Sequence, residues 1–167
     1  LDIEAIESKE LNLSIEKIDL TDILNSLFEN YKFTAKEKNI KLHADFDFDH
    51  AYALLDRSYA SQILENLISN AIKFSPTDKK IFISLVNHEN KWRCIIRDEG
   101  PGLSPEDQKM LFGKFQKLSA KPTGNETSTG LGLSIVKRYV DEMGGKIWCE
   151  SDLGNGASFI VEFSQAD

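Results

Sequence analysis

The chain has 167 residues, 41% of them hydrophobic and 28% charged. That is near the globular average, which excludes a disordered, collagen-like or low-complexity polymer and leaves enough chain for one domain with a sizeable core. With 27 acidic against 20 basic side chains the formal charge is -7, so a phosphate backbone is repelled on average and nucleic acid is not expected as a main partner, although a local basic pocket still suits one anionic ligand. Two cysteines cannot build a disulfide framework. Cys94 and Cys149 sit in apolar, strand-like runs and are expected as buried core thiols in a reducing compartment.

No window approaches the roughly 18 to 20 apolar residues that a membrane span requires, and Leu1 to Glu10 is acidic without a signal-peptide pattern. The chain begins without methionine and is expected to be processed or cut from something larger. Leu11, Leu13 and Ile15 alternate as a strand does; from Thr21, the apolar positions Ile23, Leu24, Leu27, Tyr31 and Ala35 mark one face of a helix. Ile40, Leu42, Ala44 and Phe46 alternate again. A second amphipathic helix is predicted from about Ser58 to Phe74, on Tyr59, Ile63, Leu64, Leu67, Ile68, Ala71 and Ile72, with Pro76 just beyond its end. Lys80 to Val86 and Lys91 to Asp98 read as a hairpin around the polar turn Asn87-His88-Glu89-Asn90. Ser104 as N-cap, Pro105 at the first helical position and Asp107 predict a short helix to Leu111. Ser119 to Thr129 is polar, rich in Gly and Thr and without period, a loop. A third long helix spans about Leu131 to Met143, stopped by Gly144-Gly145. Two strands, Lys146 to Ser151 and Ala157 to Phe163, close the chain around Asp152 to Gly156. The sum is an α+β fold, a two-layer α/β sandwich with a mixed, mainly antiparallel sheet of about five strands and three long helices on one face.

Four pieces of sequence carry chemistry. In the second helix Asn66, Asn70 and Lys73, at i, i+4 and i+7, put two carboxamides and an ammonium on one stripe. Such a stripe is either solvated surface or a place for a hydrated cation beside a polyphosphate, since an Asn carbonyl is a hard oxygen ligand suited to Mg²⁺. Asp98, at a strand end before Gly100-Pro101-Gly102, is either a solvated turn residue or an acceptor for an exocyclic amino group such as that of adenine. Thr129-Gly130-Leu131-Gly132-Leu133 opens a helix, where unpaired N–H groups and the positive dipole end favour an anion. It is neither a Walker A loop nor a complete Rossmann fingerprint, and alone it is equally a structural turn. Gly154-Asn155-Gly156 alone is a hairpin turn.

In order along the chain, the Asn70 helix, Asp98-x-Gly100-x-Gly102, Phe112 and Phe115, Gly130-x-Gly132 and Gly154-x-Gly156 resemble the ATP-binding catalytic domain of sensor histidine kinases, the Bergerat or GHKL nucleotide fold. The resemblance covers about Leu11 to Phe163 and is nearly letter for letter over Glu65 to Ser75 and Ser128 to Val136. It implies ATP and Mg²⁺ as cofactors, with Asn70 as the Mg²⁺ ligand, Asn66 a neighbouring polar contact and Lys73 a phosphate contact. It further implies Asp98 on the adenine amino group, directly and through water, with Gly102 against the ring, Ser158 as a water-bridging partner, and Phe74 and Gly100 among the nucleotide-binding residues. Backbone N–H groups of Thr129, Gly130, Leu131, Gly132 and Leu133 would meet the phosphates beneath a mobile lid over about Gly113 to Thr129.

Lys117 falls where many relatives carry an Arg that reaches the terminal phosphate, and as a point charge it lacks the bidentate fork. Gln116 and Ser128 depart from the relatives' aromatic and Gly. Phe112 and Phe115 resemble an aromatic box at the lid base, with Phe115 equally readable as core. His43, His50 and His88 lack the helical context of the family's phosphoacceptor and read as surface or edge residues. Leu1 to Glu10 is then the possible tail of an absent dimerisation and phosphoacceptor hairpin, and residues 11–167 the catalytic domain. The implied partners are that hairpin and a downstream response regulator, with no membrane contact by this domain. The implied location is cytoplasmic, with the parent protein open to anchoring in the inner membrane. The rivals are a GHKL ATPase clamp, whose general-base Glu is replaced here by Asn66, and a nucleotide-sensing module with no transfer activity.

Overall fold

The structure, a computed structural model, describes residues 11–112 and 132–167. The elements run β1 (Glu16–Asp19), α1 (Leu20–Glu37), β2 (Lys41–Asp45), β3 (Tyr52–Leu55), α2 (Arg57–Phe74), β4 (Lys80–His88), β5 (Lys91–Asp98), α3 (Pro105–Met110), α4 (Leu133–Glu142), β6 (Lys146–Ser151) and β7 (Ala157–Ser164). Five strands form one sheet in the order β2-β4-β5-β7-β6, parallel at β2–β4 and antiparallel elsewhere, while β1 and β3 pair antiparallel in a separate ribbon. The two-layer, mainly antiparallel expectation holds. The expected tail at Leu1 to Glu10, Phe115, Gln116, Lys117, Ser128, Thr129, Gly130, Leu131 and the lid over Gly113 to Thr129 lie outside the described residues.

The sheet's period of two decides which face is core. Ile81, Ile83 and Leu85 of β4, Trp92, Cys94 and Ile96 of β5, Ile147 of β6 and Val161 and Phe163 of β7 are buried and meet the apolar stripes of α1, α2 and α4 in one cluster. Burial pushes the Cys94 thiol up to about 12. Cys149 is only half-buried, and burial first, then the Asp98 and Glu150 charges, push its thiol to about 12 as well, so both remain protonated and inert at neutral pH.

Three boundaries differ from the sequence reading. The first strand is Glu16–Asp19 rather than Leu11 to Ile15, because its partner β3 offers only four residues. Beyond Leu55, Asp56 turns aside to cap α2, and its Oδ2 takes the Ser14 N–H at 2.8 Å where a ladder bond would continue. β3 is not among the predicted strands: at four residues, with only Ala53 and Leu55 buried, it is too short to show a period. The β4–β5 turn is the two residues Glu89 and Asn90, both at positive φ (50° and 64°), as a tight hairpin requires, so that His88 belongs to the strand.

α1 starts on an unusually well-satisfied cap. Asp19 is 6% exposed; its Oδ1 accepts from the Thr21 N–H, the Thr21 hydroxyl and the Ala51 N–H, and its Oδ2 lies 2.7 Å from His50 Nδ1. His50 is exposed, as expected of a surface residue, and is in addition a partner of a buried carboxylate. Burial alone would raise the Asp19 carboxyl, but the Ala51 and Thr21 N–H groups, the Thr21 hydroxyl and the His50 ring more than offset it and hold it at about 2. Since this lies below the unfolded value of 3.8, the stabilisation is present above that pH and is lost as pH falls from about 4 to about 2. Asp19→Ala is expected to cost on the order of 1–2 kcal/mol at neutral pH. In urea titrations the gap to the parent chain should narrow steadily across that acid range, and a gap independent of pH would refute the assignment.

Candidate functional site

β5 ends in the site. The alternation that buries Trp92, Cys94 and Ile96 also turns Asp98 toward the helices, where it is 6% exposed. Its Oδ1 accepts from the N–H groups of Gly100 (2.8 Å) and Ala157 (3.3 Å), which leaves Oδ2 for a donor from outside the described residues. Burial pushes this carboxyl above its ordinary 3.8, against the lowering effect of those two backbone bonds. Asp98 lines a cleft whose walls are otherwise mostly apolar: Ala71 and Phe74 from α2, Leu103 and Leu111 around α3, Leu133 at the start of α4, and Phe159 from β7, with the Asn70 carboxamide at one side. A flat aromatic ring carrying an amino group fits such a slot, the apolar walls taking its faces and Asp98 its donor.

Left-handed glycines bring together the two loops beside the slot, and Gly102 lines it. Gly102 (φ +75°) and Gly156 (φ +78°) sit where a Cβ would collide with the Asp152 and Asp98 carbonyls, so the two loops lie backbone against backbone. Gly100 is equally confined, a Cβ there falling 2.8 Å from the Phe74 carbonyl.

α2 brings the expected stripe to the same place. Asn66 is buried at 4% exposure rather than solvated. Its Oδ1 accepts from Asn70 Nδ2 at 3.0 Å, which fixes the Asn70 amide so that its carbonyl oxygen is the atom left to meet a ligand. Lys73 lies one turn on, its ammonium 5.4 Å from the centre of the Phe74 ring. Lys38 reaches across from the end of α1 and donates to the Ile72 and Lys73 carbonyls at 2.9 and 3.1 Å, offsetting the negative end of α2. Gly132 is the N-cap of α4 and offers no side-chain hydrogen bond, and the start of that helix, with its positive dipole end, adjoins the cleft through Leu133. This helix starts at Leu133, two residues after the predicted start.

Of the described candidates, Asn70, Phe74, Asp98, Gly102 and Leu133 line one cleft, while Asn66 and Gly100 are hydrogen-bonded to residues of that lining and Lys73 and Gly132 are chain neighbours of it. Ser158 does not join them. It is paired with Arg97, one residue out of phase with the Asp98–Ala157 pair, and so belongs to the opposite face of the sheet. Its neighbours there are Arg97 and Glu150, so no water bridge to Asp98 can start from it. The sequence reading missed Leu103, Leu111 and Phe159 as walls. For Phe159 the signal was present, since it shares the core-facing phase of Val161 and Phe163.

Residues 55–167 match the family of histidine kinase-, DNA gyrase B- and HSP90-like ATPases. The sensor histidine kinase WalK of Bacillus subtilis is 30% identical over 160 residues, which is 95% of this chain and 26% of that protein. The chain thus spans about a quarter of WalK. The catalytic domain of the histidine kinase ThkA, nucleotide-free, superposes with a TM-score of 0.79 at 28% identity over 92% of this chain and 97% of that one. ThkA has also been solved with its response regulator TrrA (TM-score 0.79, 28% identity, 98% of this chain and 47% of that one). Full-length ShkA, solved with AMPPNP, gives 0.82 at 27% identity over 98% of this chain and 34% of that one.

The raised carboxyl of Asp98 has a consequence for stability. A group whose folded value lies above its unfolded one contributes fully below the unfolded value and loses that contribution as pH rises through the folded one. Asp98→Asn keeps an oxygen for Gly100 and Ala157 and removes the buried charge. The variant is therefore expected to melt at or above the parent's temperature at pH 7, with the difference shrinking in acid; a clear loss of thermal stability at pH 7 would show the charge to be stabilising.

Proposed function

The chain belongs to the family of histidine kinase-, DNA gyrase B- and HSP90-like ATPases, as an ATP-binding catalytic domain of the sensor histidine kinase kind, and on that premise we propose that it passes the γ-phosphoryl group of Mg²⁺-ATP to a histidine imidazole on a separate helical hairpin. The observation that carries this reading is the buried Asp98 carboxylate, half satisfied by backbone N–H groups and opening into an apolar slot beside the Asn70 carboxamide. Asp98 accepts the adenine amino group, and Ala71, Phe74, Gly102 and Leu103 hold the ring. Asn70, its amide anchored by Asn66, presents a carbonyl oxygen of the kind Mg²⁺ accepts alongside phosphates and waters. When bound, that cation neutralises charge developing on the transferred phosphoryl group. Lys73 and the first turn of α4 hold phosphate oxygens, and Lys117, Thr129, Gly130 and Leu131 extend that contact. The domain positions and neutralises, and the nucleophile is the partner's imidazole.

The rival, an ATPase clamp, needs a base to take a proton from water. Asn66 cannot accept one, and its hydrogen bond to Asn70 occupies its carbonyl oxygen. The neighbouring acid, Glu65, accepts from the Tyr31 hydroxyl at 2.8 Å on the exposed side of the helix. Burial, then the Glu65 hydrogen bond and charge, push that phenol to about 12, so it keeps its proton on the pair. The partners in this reading are the parent protein's phosphoacceptor hairpin and a response regulator. Its place is the cytoplasm, with the parent open to membrane anchoring elsewhere; among the described residues no helix is long and apolar enough to cross a membrane.

The purified chain is expected to bind Mg²⁺-ATP in a calorimetric titration without labelling its own histidines and with hydrolysis far below an ATPase's, since lost general-base assistance is typically worth about 10² to 10⁴ in rate. Supplying the parent's acceptor hairpin should give a phosphohistidine product. Asn70→Asp should abolish that transfer by adding charge beside the phosphates, and Asp98→Asn should abolish adenine-nucleotide binding with the fold intact. Rapid ATP turnover without acceptor would overturn the kinase reading in favour of the clamp.

A further inference from the structure

The loop after β5 and the turn between β6 and β7 are held together by more than their glycines. Gly154 N–H donates to the Pro101 carbonyl at 2.6 Å. Between the two lies Ser151, the last residue of β6, paired with Ala157 on the side of the sheet that faces the cleft. Its Oγ accepts from the Leu103 N–H at 2.9 Å and donates to the Gly156 carbonyl at 2.6 Å. Gln108 of α3 completes the arrangement: its Nε2 donates to the Leu103 carbonyl at 3.0 Å and to the Ser151 carbonyl at 2.9 Å. Leu103 belongs to no helix or strand, yet both its backbone groups are taken, one by each of these side chains. Its own side chain is a wall of the cleft, and the residue after Gly156, Ala157, supplies one of the two N–H groups on Asp98.

Resting on the ATP-binding reading above, we propose that Ser151 and Gln108 are positioning residues for purine selection. Neither lines the cleft. Ser151 sets the distance between the Leu103 wall and the β7 end that orients Asp98, and Gln108 locks that wall to α3, so that the free oxygen of Asp98 meets a 6-amino group with the ring already gripped. Removing either side chain leaves Leu103 with an unpaired backbone group and lets the wall move away from the carboxylate. The loss then falls on the hydrogen bond that distinguishes a 6-amino from a 6-oxo purine, because a site built around one polar group discriminates only while that group is in place.

The test titrates ATP and inosine triphosphate, its 6-oxo counterpart, into the parent chain and into Ser151→Ala, Ser151→Thr and Gln108→Met, with Mg²⁺ present. Ser151→Ala and Gln108→Met should each weaken ATP about tenfold, the scale of one well-placed hydrogen bond. Inosine triphosphate should change little, so the preference between the two nucleotides collapses. Ser151→Thr, which keeps the hydroxyl, should restore it. If both nucleotides weaken equally with their ratio intact, or neither changes, the positioning role is overturned while ATP binding by the parent chain stands. Should Ser151→Ala fail to fold, Gln108→Met decides the matter alone. A parent chain with no preference for ATP would bring down the adenine assignment itself, and this inference with it.

Discussion

The burial of one carboxylate shapes most of what surrounds the cleft. A strand's period of two turns Asp98 inward with Ile96 and Cys94, and a charge moved off water costs free energy unless its oxygens find donors. Two backbone N–H groups reach Oδ1. They do so only because the chain doubles back at once after β5 and again before β7, which places Gly102 and Gly156 in left-handed conformations with carbonyls pressed against them. The second oxygen is left short. A ligand that brings a donor to it would recover a cost the folded protein already carries, so the selectivity proposed for the site and the raised Asp98 carboxyl would share the burial of that group as their origin.

α2 serves the core and the site with one sequence. Ile63, Leu64, Leu67 and Ile68 are all at most 1% exposed and anchor the helix against the sheet. Asn66 and Asn70, a turn apart, then stand at fixed positions, linked to each other by an amide–amide bond. The direction of the helix is a liability, since its C-terminal end carries partial negative charge toward the region where phosphates would lie. Lys38 covers two of the terminal carbonyls, and Lys73 adds charge of the right sign. α4 faces the opposite way, presenting its N-terminal N–H groups.

Most of this architecture was legible because the periods are clean. The apolar stripe of α2 and the alternation of β4, β5, β6 and β7 place their boundaries within a few residues, and Asp98 announces itself as an acid at the end of an otherwise core-facing run. What escaped did so for identifiable reasons. β3 spans four residues, too few for its alternation of buried Ala53 and Leu55 with outward Tyr52 and Leu54 to stand out as a period. Leu11 to Ile15 alternates, yet pairing stops where Asp56 leaves the ladder to cap a helix, a competition no local pattern reveals. Ser158 was misplaced by one residue of phase, which in a strand is a change of face. Ser151 and Gln108 were invisible because their role lies in which backbone groups they meet, and those meetings span up to 48 residues of sequence.

The same physics separates a donor of phosphoryl groups from a consumer of them. Within the α2 stripe, the position one turn before Asn70 decides whether water can be activated there. A carboxylate at that position would sit in the interior with Leu67 and Ile63 for neighbours, where burial raises its affinity for protons and makes it a competent base. Asn66 supplies the hydrogen-bond acceptor that orients Asn70 but has no affinity for a proton, and the nearest acid along the helix points outward to Tyr31. A pocket so arranged can bind and align a triphosphate while leaving its terminal bond intact. On the kinase reading the nucleophile is one whose attacking nitrogen needs no base to strip a proton first, as in a neutral imidazole, and the difference from a clamp then rests on one carboxamide, Asn66.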